Sequence, residues 1–386
     1  MKNISKTSPT EAELIKLNAK KILDEMNLTE KLYQVLMLSV AGNKYIFVRA
    51  EKFKYPPGGI ILFKFNFDKD PIAVYKFIKA YEKKFKDKVI TNNFTKTFIP
   101  PFFATDNEGG KVFRTAELTS TLPYPNELTK NFPLAEAEKL FLFNAQQMNA
   151  LGLSMNLAPI CEYGNTQSSF LGKRIFSEAP KKVSAYTSSF VIAHRKENIS
   201  CVLKHFPGSG NDDTHKGISK ISGNYEELLT LCESFRIPLK NSQVVMLSHA
   251  VAEVLDDLPF CLSKKGIDFL KSEFQYDGII MSDDITMKAL SPYAKNNIDL
   301  AYKMILAGCD LILYSATDFN NLVDGLVKKA EADANFVKRL NEAVEKILIA
   351  KLQNKLINEE KNADFDSVKF YSAKTEAEKL LNKNLK

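Results

Sequence analysis

Tryptophan is missing from the 386 residues, which reflects composition more than function. Other absences exclude more. No stretch approaches 18 consecutive apolar residues, so no segment reads as a membrane-spanning helix. The opening Met1-Lys2-Asn3-Ile4-Ser5-Lys6 has no apolar run behind it and does not read as a secretory leader. A soluble chain in the cytoplasm is the expectation. The five cysteines (Cys161, Cys201, Cys232, Cys261 and Cys309) are odd in number and far apart, with no CxxC pair. They read as buried thiols in a reducing compartment, not as a disulfide framework or a structural zinc site. Lys plus Arg number 53 and Asp plus Glu 46, so the net charge is 53 − 46 = +7. No block of five or six like charges gathers them, and a nucleic-acid partner is not expected. Neither G-x-G-x-x-G nor a Walker sequence follows the first apolar run, which argues against a doubly wound nucleotide-binding fold.

What is present is an alternation of short apolar runs and longer stretches at helical spacing. Glu11 to Met26 reads as a helix, as does Ile72 to Phe85, where Val74, Phe77, Ile78 and Tyr81 recur at i, i+3, i+4 and i+7. Further helices are expected near 134–150, 180–197, 224–240, 263–274 and 295–307. Between them lie Val35–Leu38, Gly59–Phe63, Pro101–Thr105, Ser154–Pro159, Cys201–His205, Val244–His249, Gly278–Asp283 and Asp310–Tyr314. These eight runs are continuously apolar instead of alternating, as strands buried on both faces of a parallel sheet are. Eight such strands separated by helices predict an α/β fold, a (β/α)8 TIM-type barrel. One domain over 1–355 and a charged helical tail over 356–386 are expected.

In such a barrel the C-terminal strand ends converge on one mouth, where active sites form. Asp106, Lys204, His205, His249 and Asp283 stand at those ends. Of the four histidines, His205, His215 and His249 lie at or just past strand ends, and only His194 falls within a predicted helix. The stretch Lys204-His205-Phe206-Pro207-Gly208-Ser209-Gly210-Asn211-Asp212-Asp213-Thr214-His215 reads as a ligand-hugging loop. Asp213 can orient the His215 imidazole and raise its pKa, the usual means of making histidine a general acid and then base. Without HExxH or an i, i+4 histidine pair, no metal site is expected. From spacing alone, Asp283 could be a nucleophile, a hydroxyl acceptor or a helix N-cap. Carboxylates gathered with basic partners suit a polyhydroxylated substrate, so sugar chemistry leads.

These residues resemble glycoside hydrolase family 3, in particular its single-barrel β-N-acetylglucosaminidases of the NagZ type. The likeness runs from Leu28-Thr29-Glu30-Lys31-Leu32 to Tyr314. Gly58-Gly59-Ile60-Ile61-Leu62-Phe63 is similar to the family's opening. Asp106-Asn107-Glu108-Gly109-Gly110-Lys111-Val112-Phe113-Arg114 is similar to D-x-E-G-G-R-V-x-R, and Gly172-Lys173-Arg174-Ile175-Phe176 to G-x-R-x-F. Lys204-His205-Phe206-Pro207-Gly208 matches the most specific signature, and Gly278-Ile279-Ile280-Met281-Ser282-Asp283 the nucleophile signature.

The resemblance implies retaining double displacement with Asp283 as nucleophile and Asp213–His215 as acid/base pair. It also implies sugar contacts from Asp106, Arg174, Lys204 and His205, to which the strand-end position adds His249. The implied substrate is terminal β-linked N-acetylglucosamine on cell-wall fragments, with no metal or organic cofactor and with no membrane or nucleic-acid partner. Lys204 and Asp213 are nine residues apart, against eleven in the family pattern. Ser209 stands where that pattern has a second histidine, and Lys111 where it has arginine. Alternatives are a β-glucosidase, a phosphorylase, whose phosphate a neutral histidine repels less than a carboxylate would, and a non-catalytic sugar-binding relative.

Overall fold

The computed structural model describes residues 9–43, 49–91, 96–165, 167, 170–210, 217–357 and 364–385. Eight parallel strands form its centre: β1 (Leu36–Ser39), β2 (Gly59–Ile61), β3 (Phe102–Thr105), β4 (Met155–Asn156), β5 (Ser200–Phe206), β6 (Val244–Leu247), β7 (Ile279–Ser282) and β8 (Ile312–Tyr314). Each pairs with its sequence neighbours, and β8 lies beside β1. A bridge from Met281 to Leu311 links β7 to β8, so the sheet closes on itself as a (β/α)8 barrel. Most of these strand residues are buried, as the continuous apolar runs require.

Helices α1 (Glu11–Glu25), α2 (Leu28–Gln34), α3 (Pro71–Thr91), α4 (Pro125–Asn131), α5 (Leu134–Ala150), α6 (Pro180–Arg195), α7 (Tyr225–Leu231), α8 (Lys264–Glu273), α9 (Asn297–Ala307), α10 (Phe319–Ala332), α11 (Ala334–Gln353) and α12 (Ser367–Asn384) surround it. Capping boxes at Thr10/Glu13, Asn27/Glu30 and Asn224/Glu227 start three of them. The tail helix α12 packs along α5, buries Phe370, Ala373 and Ala377, and pairs Lys369 with Glu197 at 2.6 Å.

Two elements depart from the sequence reading. The helix expected over 224–240 stops at Leu231 and gives way to single 3-10 turns at Glu233–Phe235 and Pro238–Lys240. Pro238 has no N–H to give the Ser234 carbonyl, so an α-helix cannot run through it. The turns instead carry Phe235 into a buried aromatic cluster. There Phe206, at the end of β5, meets Phe235, Phe260, Phe269 and Phe274 with ring centroids 5.2–6.3 Å apart. Strand β4 is two residues long where six were expected, because Pro159 also lacks a donor. The segment still follows its neighbours through Leu157 N–H to Thr105 O and Lys204 N–H to Pro159 O.

At the barrel's N-terminal base, Lys351 of α11 is fully buried. Its Nζ donates to Gln34 Oε1 at 2.8 Å and lies 5.3 Å from the Phe102 ring centre, with no ion pair among the described residues. Burial pushes this amine well below the ordinary lysine range. The folded chain therefore binds fewer protons here than the unfolded chain does below about pH 10.4. This site's contribution to stability rises with pH across that window. Urea titrations of wild type and Lys351→Met should show their gap in unfolding free energy moving in favour of wild type between pH 7 and 10. A gap independent of pH would contradict the lowered pKa of Lys351.

Candidate active site

The mouth at the C-terminal strand ends holds a buried network of opposite charges. Lys204, on β5 and almost fully buried, donates to Asp106 Oδ1 at 2.9 Å and lies 2.7 Å from Glu108 Oε1. Arg174, on the single turn Gly172–Arg174, grips Glu108 through two parallel bonds, Nε to Oε2 at 2.8 Å and Nη2 to Oε1 at 2.9 Å. Burial pushes the Glu108 carboxyl up, but the Lys204 charge and the Arg174 hydrogen bonds outweigh it and hold it at about 2. Burial likewise lowers Lys204 while Asp106 and Glu108 raise it further, so the ammonium stays charged. The glycine pair after Glu108 is required by space: a Cβ on Gly109, at φ +123°, would lie 2.2 Å from Pro123 O.

Asp106 keeps its second oxygen toward Arg114, whose Nε is 3.9 Å away. That nitrogen has no hydrogen-bond partner among the described residues.

On the other side of β5, Glu162 collects donors from the loop that follows. It accepts from His205 Nδ1 at 2.8 Å, His205 N at 3.2 Å, Ser209 N at 2.7 Å and Ser209 Oγ at 2.8 Å. Burial raises the Glu162 carboxyl, and His205 and Ser209 bring it below its ordinary value. An ionised Glu162 only accepts, so Nδ1 of His205 carries a proton. Ser209 thus supplies two of this carboxylate's bonds at the position where the resembled pattern has a second histidine. The peptide between Lys204 and His205 is cis.

Asp283 follows β7 directly. Its Oδ1 accepts from Asp284 N–H at 2.7 Å. Burial raises its carboxyl, while His249, His205, the Asp284 N–H and Lys204 together leave it below the usual range. Asp284 is engaged differently: Oδ1 accepts from Thr286 N at 3.0 Å and Oδ2 from Ser315 Oγ. No helix begins at Asp283, so the N-cap reading of that residue does not hold; the next helical element is the 3-10 turn Lys288–Leu290.

The structure thus brings Asp106, Arg174, Lys204, His205 and Asp283 to one mouth. His249 lies beneath it, buried, with Nε2 3.1 Å from Asp284 O and Nδ1 3.2 Å from Cys261 Sγ. Both ring nitrogens are therefore committed within the protein and neither is left for a ligand. Asp213 and His215 lie outside the described residues. A cleft of about 450 Å³ opens beside Glu162 and Ser209, lined by Tyr163, Phe170, Leu231 and Lys220 among others, a size that suits a small ligand. No group of three or more potential metal ligands occurs among the described residues.

Three participants escape a strand-end reading. Glu108 carried a signal, since it sits two residues beyond Asp106, the spacing that returns a side chain to the same face of an extended segment. Glu162 follows the apolar Ile160-Cys161 much as Asp106 follows β3, but Pro159 conceals that strand's end. Arg114 comes from a short hairpin strand pair, Asn107–Gly109 with Val112–Phe113, that apolar runs do not mark.

Comparison with known proteins places this architecture. The model for the glycosyl hydrolase family 3 N terminal domain matches residues 27–350. The Beta-hexosaminidase of Methylococcus capsulatus (strain ATCC 33009 / NCIMB 11132 / Bath) is 28% identical over 268 residues, which is 67% of this chain and 76% of that protein. A glycoside hydrolase family 3 beta-N-acetylglucosaminidase from Paenibacillus sp. str. FPU-7 superposes with a TM-score of 0.79 at 22% identity, over 93% of this chain and 69% of its own. Beta-glucoside phosphorylase BglX bound to 2FGlc also superposes at 0.79, with 18% identity, over 96% of this chain and 67% of its own.

Proposed function

The chain belongs to glycosyl hydrolase family 3, and on that premise we propose that it is a retaining, exo-acting β-N-acetylglucosaminidase with Asp283 as nucleophile. One observation carries the assignment. Of the two adjacent acids after β7, Asp284 has both oxygens bound within the protein, whereas Asp283 has one oxygen held by a backbone N–H and no hydrogen bond to the other among the described residues. The names of its curated relatives support the acetamido sugar. Peptidoglycan fragments are the proposed source.

In the proposed first step an Asp283 oxygen bonds to the anomeric carbon as the bond to the aglycone oxygen breaks, and His215, oriented by Asp213, gives that oxygen a proton. In the second step water attacks the same carbon, returns a proton to His215, and frees Asp283. Lys204 and Arg174, both held by Glu108, supply polar partners for the sugar hydroxyls together with Arg114 and Asp106.

The test is release of nitrophenol from the β-N-acetylglucosaminide and the β-glucoside, with and without added phosphate. Turnover of the acetamido substrate alone, giving free sugar, is expected. Sugar 1-phosphate in the presence of phosphate would make the protein a phosphorylase, and preference for the glucoside would make it a glucosidase. With His215→Ala, hydrolysis of a β-linked disaccharide should fall by about 10²–10⁴-fold. Bond cleavage in a dinitrophenyl glycoside, measured as the initial burst, should be far less affected because that leaving group needs no proton. Equal losses on both would count against His215 as the acid.

A further inference from the structure

The strands on either side of β7 both send a residue to the turn that holds Asp283. From the end of β8, Ser315 donates through Oγ to the Asp284 carboxylate. From the end of β6, His249 lies with Nε2 3.1 Å from the Asp284 main-chain oxygen. A carbonyl oxygen only accepts, so Nε2 carries the proton. Nδ1 then presents its lone pair to the Cys261 thiol 3.2 Å away. Burial favours this arrangement at both ends: it pushes the His249 imidazole down, against the pull of Asp283 and Asp284, and pushes the Cys261 thiol up, so the sulfur keeps its hydrogen. Cys261 is itself held firmly, because Phe260 N–H donates to Ala250 O at 2.8 Å and folds this segment back over His249.

The hydrogen bonds therefore form one directed series. Cys261 S–H donates to His249, His249 donates to the Asp284 carbonyl, and Asp284 N–H donates to Asp283 Oδ1. The Asp284 carbonyl also accepts from Met287 N–H at 3.1 Å, and both ring nitrogens of His249 meet protein groups.

We propose that His249, seated on the Cys261 thiol, is a positioning residue for Asp283: by fixing the Asp284 carbonyl it sets the Asp284 N–H that holds one Asp283 oxygen and leaves the other to react. This rests on Asp283 being the nucleophile. A misplaced nucleophile slows bond making without weakening the sugar contacts of Lys204, Arg174 and Asp106. The loss must then fall on kcat and leave KM nearly alone.

The experiment measures kcat and KM on the nitrophenyl β-N-acetylglucosaminide for full-length variants, with thermal melts to establish folding. His249→Leu should lower kcat by about 100-fold with KM within about threefold of wild type. His249→Gln, which returns a donor near the Nε2 position, should recover most of that loss. Cys261→Val, the milder variant should His249→Leu not fold, should lower kcat by about three- to tenfold, the worth of one neutral hydrogen bond, and Cys261→Ser should restore it. A folded His249→Leu or Cys261→Val with wild-type kcat, a loss carried by KM, or a Gln variant no better than Leu would overturn the positioning role. Turnover surviving in Asp283→Ala would instead overturn the nucleophile assignment beneath it, so the two failures are told apart.

Discussion

Asp283→Ala should reduce turnover of the β-N-acetylglucosaminide by on the order of 10⁴-fold or more, the scale on which removing a covalent nucleophile acts, while leaving the chain folded. Alanine removes a partly buried carboxylate whose one strong bond, from Asp284 N–H at 2.7 Å, is local to its own turn. The buried ion network of Lys204, Glu108 and Arg174 does not depend on it. Calorimetric titration with N-acetylglucosamine should therefore still detect binding by the inactive variant. Azide gives the more specific reading. With the carboxylate gone, a small anion can occupy its place and attack the anomeric carbon from the same face. The aglycone then leaves and an α-glycosyl azide forms, with inverted configuration. Appearance of that product fixes the face from which position 283 acts. Asp284→Ala should behave otherwise: Thr286 N–H and Ser315 Oγ lose their acceptor, the melting temperature falls, and azide restores nothing. An azide-rescued Asp284→Ala beside an unresponsive Asp283→Ala would move the nucleophile by one residue.

The barrel was legible in the sequence because its strands are buried on both faces and so appear as eight uninterrupted apolar runs. Asp106, Lys204, His205 and Asp283 were legible for a related reason. In a closed parallel sheet a polar residue at the end of such a run has only the mouth to enter. His249 obeyed the same rule of position but not of role. Position says which end of the barrel a residue occupies; it does not say whether a neighbouring carbonyl and thiol have already taken both ring nitrogens. Glu162 was hidden because proline truncates the strand before it, and Arg114 because it rides on a short hairpin. Pro238 likewise keeps the helix read over 224–240 from reaching its expected end, because apolar spacing continues past it although the hydrogen-bond ladder cannot. Partnerships across 40 to 100 residues of chain, such as Lys204 with Asp106 or Glu162 with His205, carry no local signal at all.

Those long-range partnerships lead to the largest expected effect on stability, at Glu108. Its carboxylate is almost wholly shielded from water and lies between two cations, Lys204 at 2.7 Å and Arg174 at 2.8 Å. Glu108→Gln keeps the shape and removes the charge, leaving buried Lys204 and partly exposed Arg174 to share Asp106. Breaking a buried pair from one side costs about 3–5 kcal/mol, because the stranded charge stays desolvated. The carboxyl's own titration gives a similar figure. Its fall from an ordinary 4.5 to about 2 corresponds to roughly 3 kcal/mol at 1.36 kcal/mol per unit. The sign follows from the direction: a carboxyl lower in the folded state than in the unfolded state contributes its full stabilisation above about pH 4.5. That contribution is lost as pH falls toward 2. Wild type should therefore lose stability steeply between pH 4.5 and 2, and Glu108→Gln, already destabilised at pH 7, should show a shallower decline over the same interval. Urea midpoints at several pH values measure both slopes. Parallel slopes would mean that Glu108 is not the carboxylate that holds the cations of the mouth in place. Since Lys204 and Arg174 are the proposed sugar contacts, the same substitution should raise KM at pH 7, tying the stability of this network to the recognition it is proposed to perform.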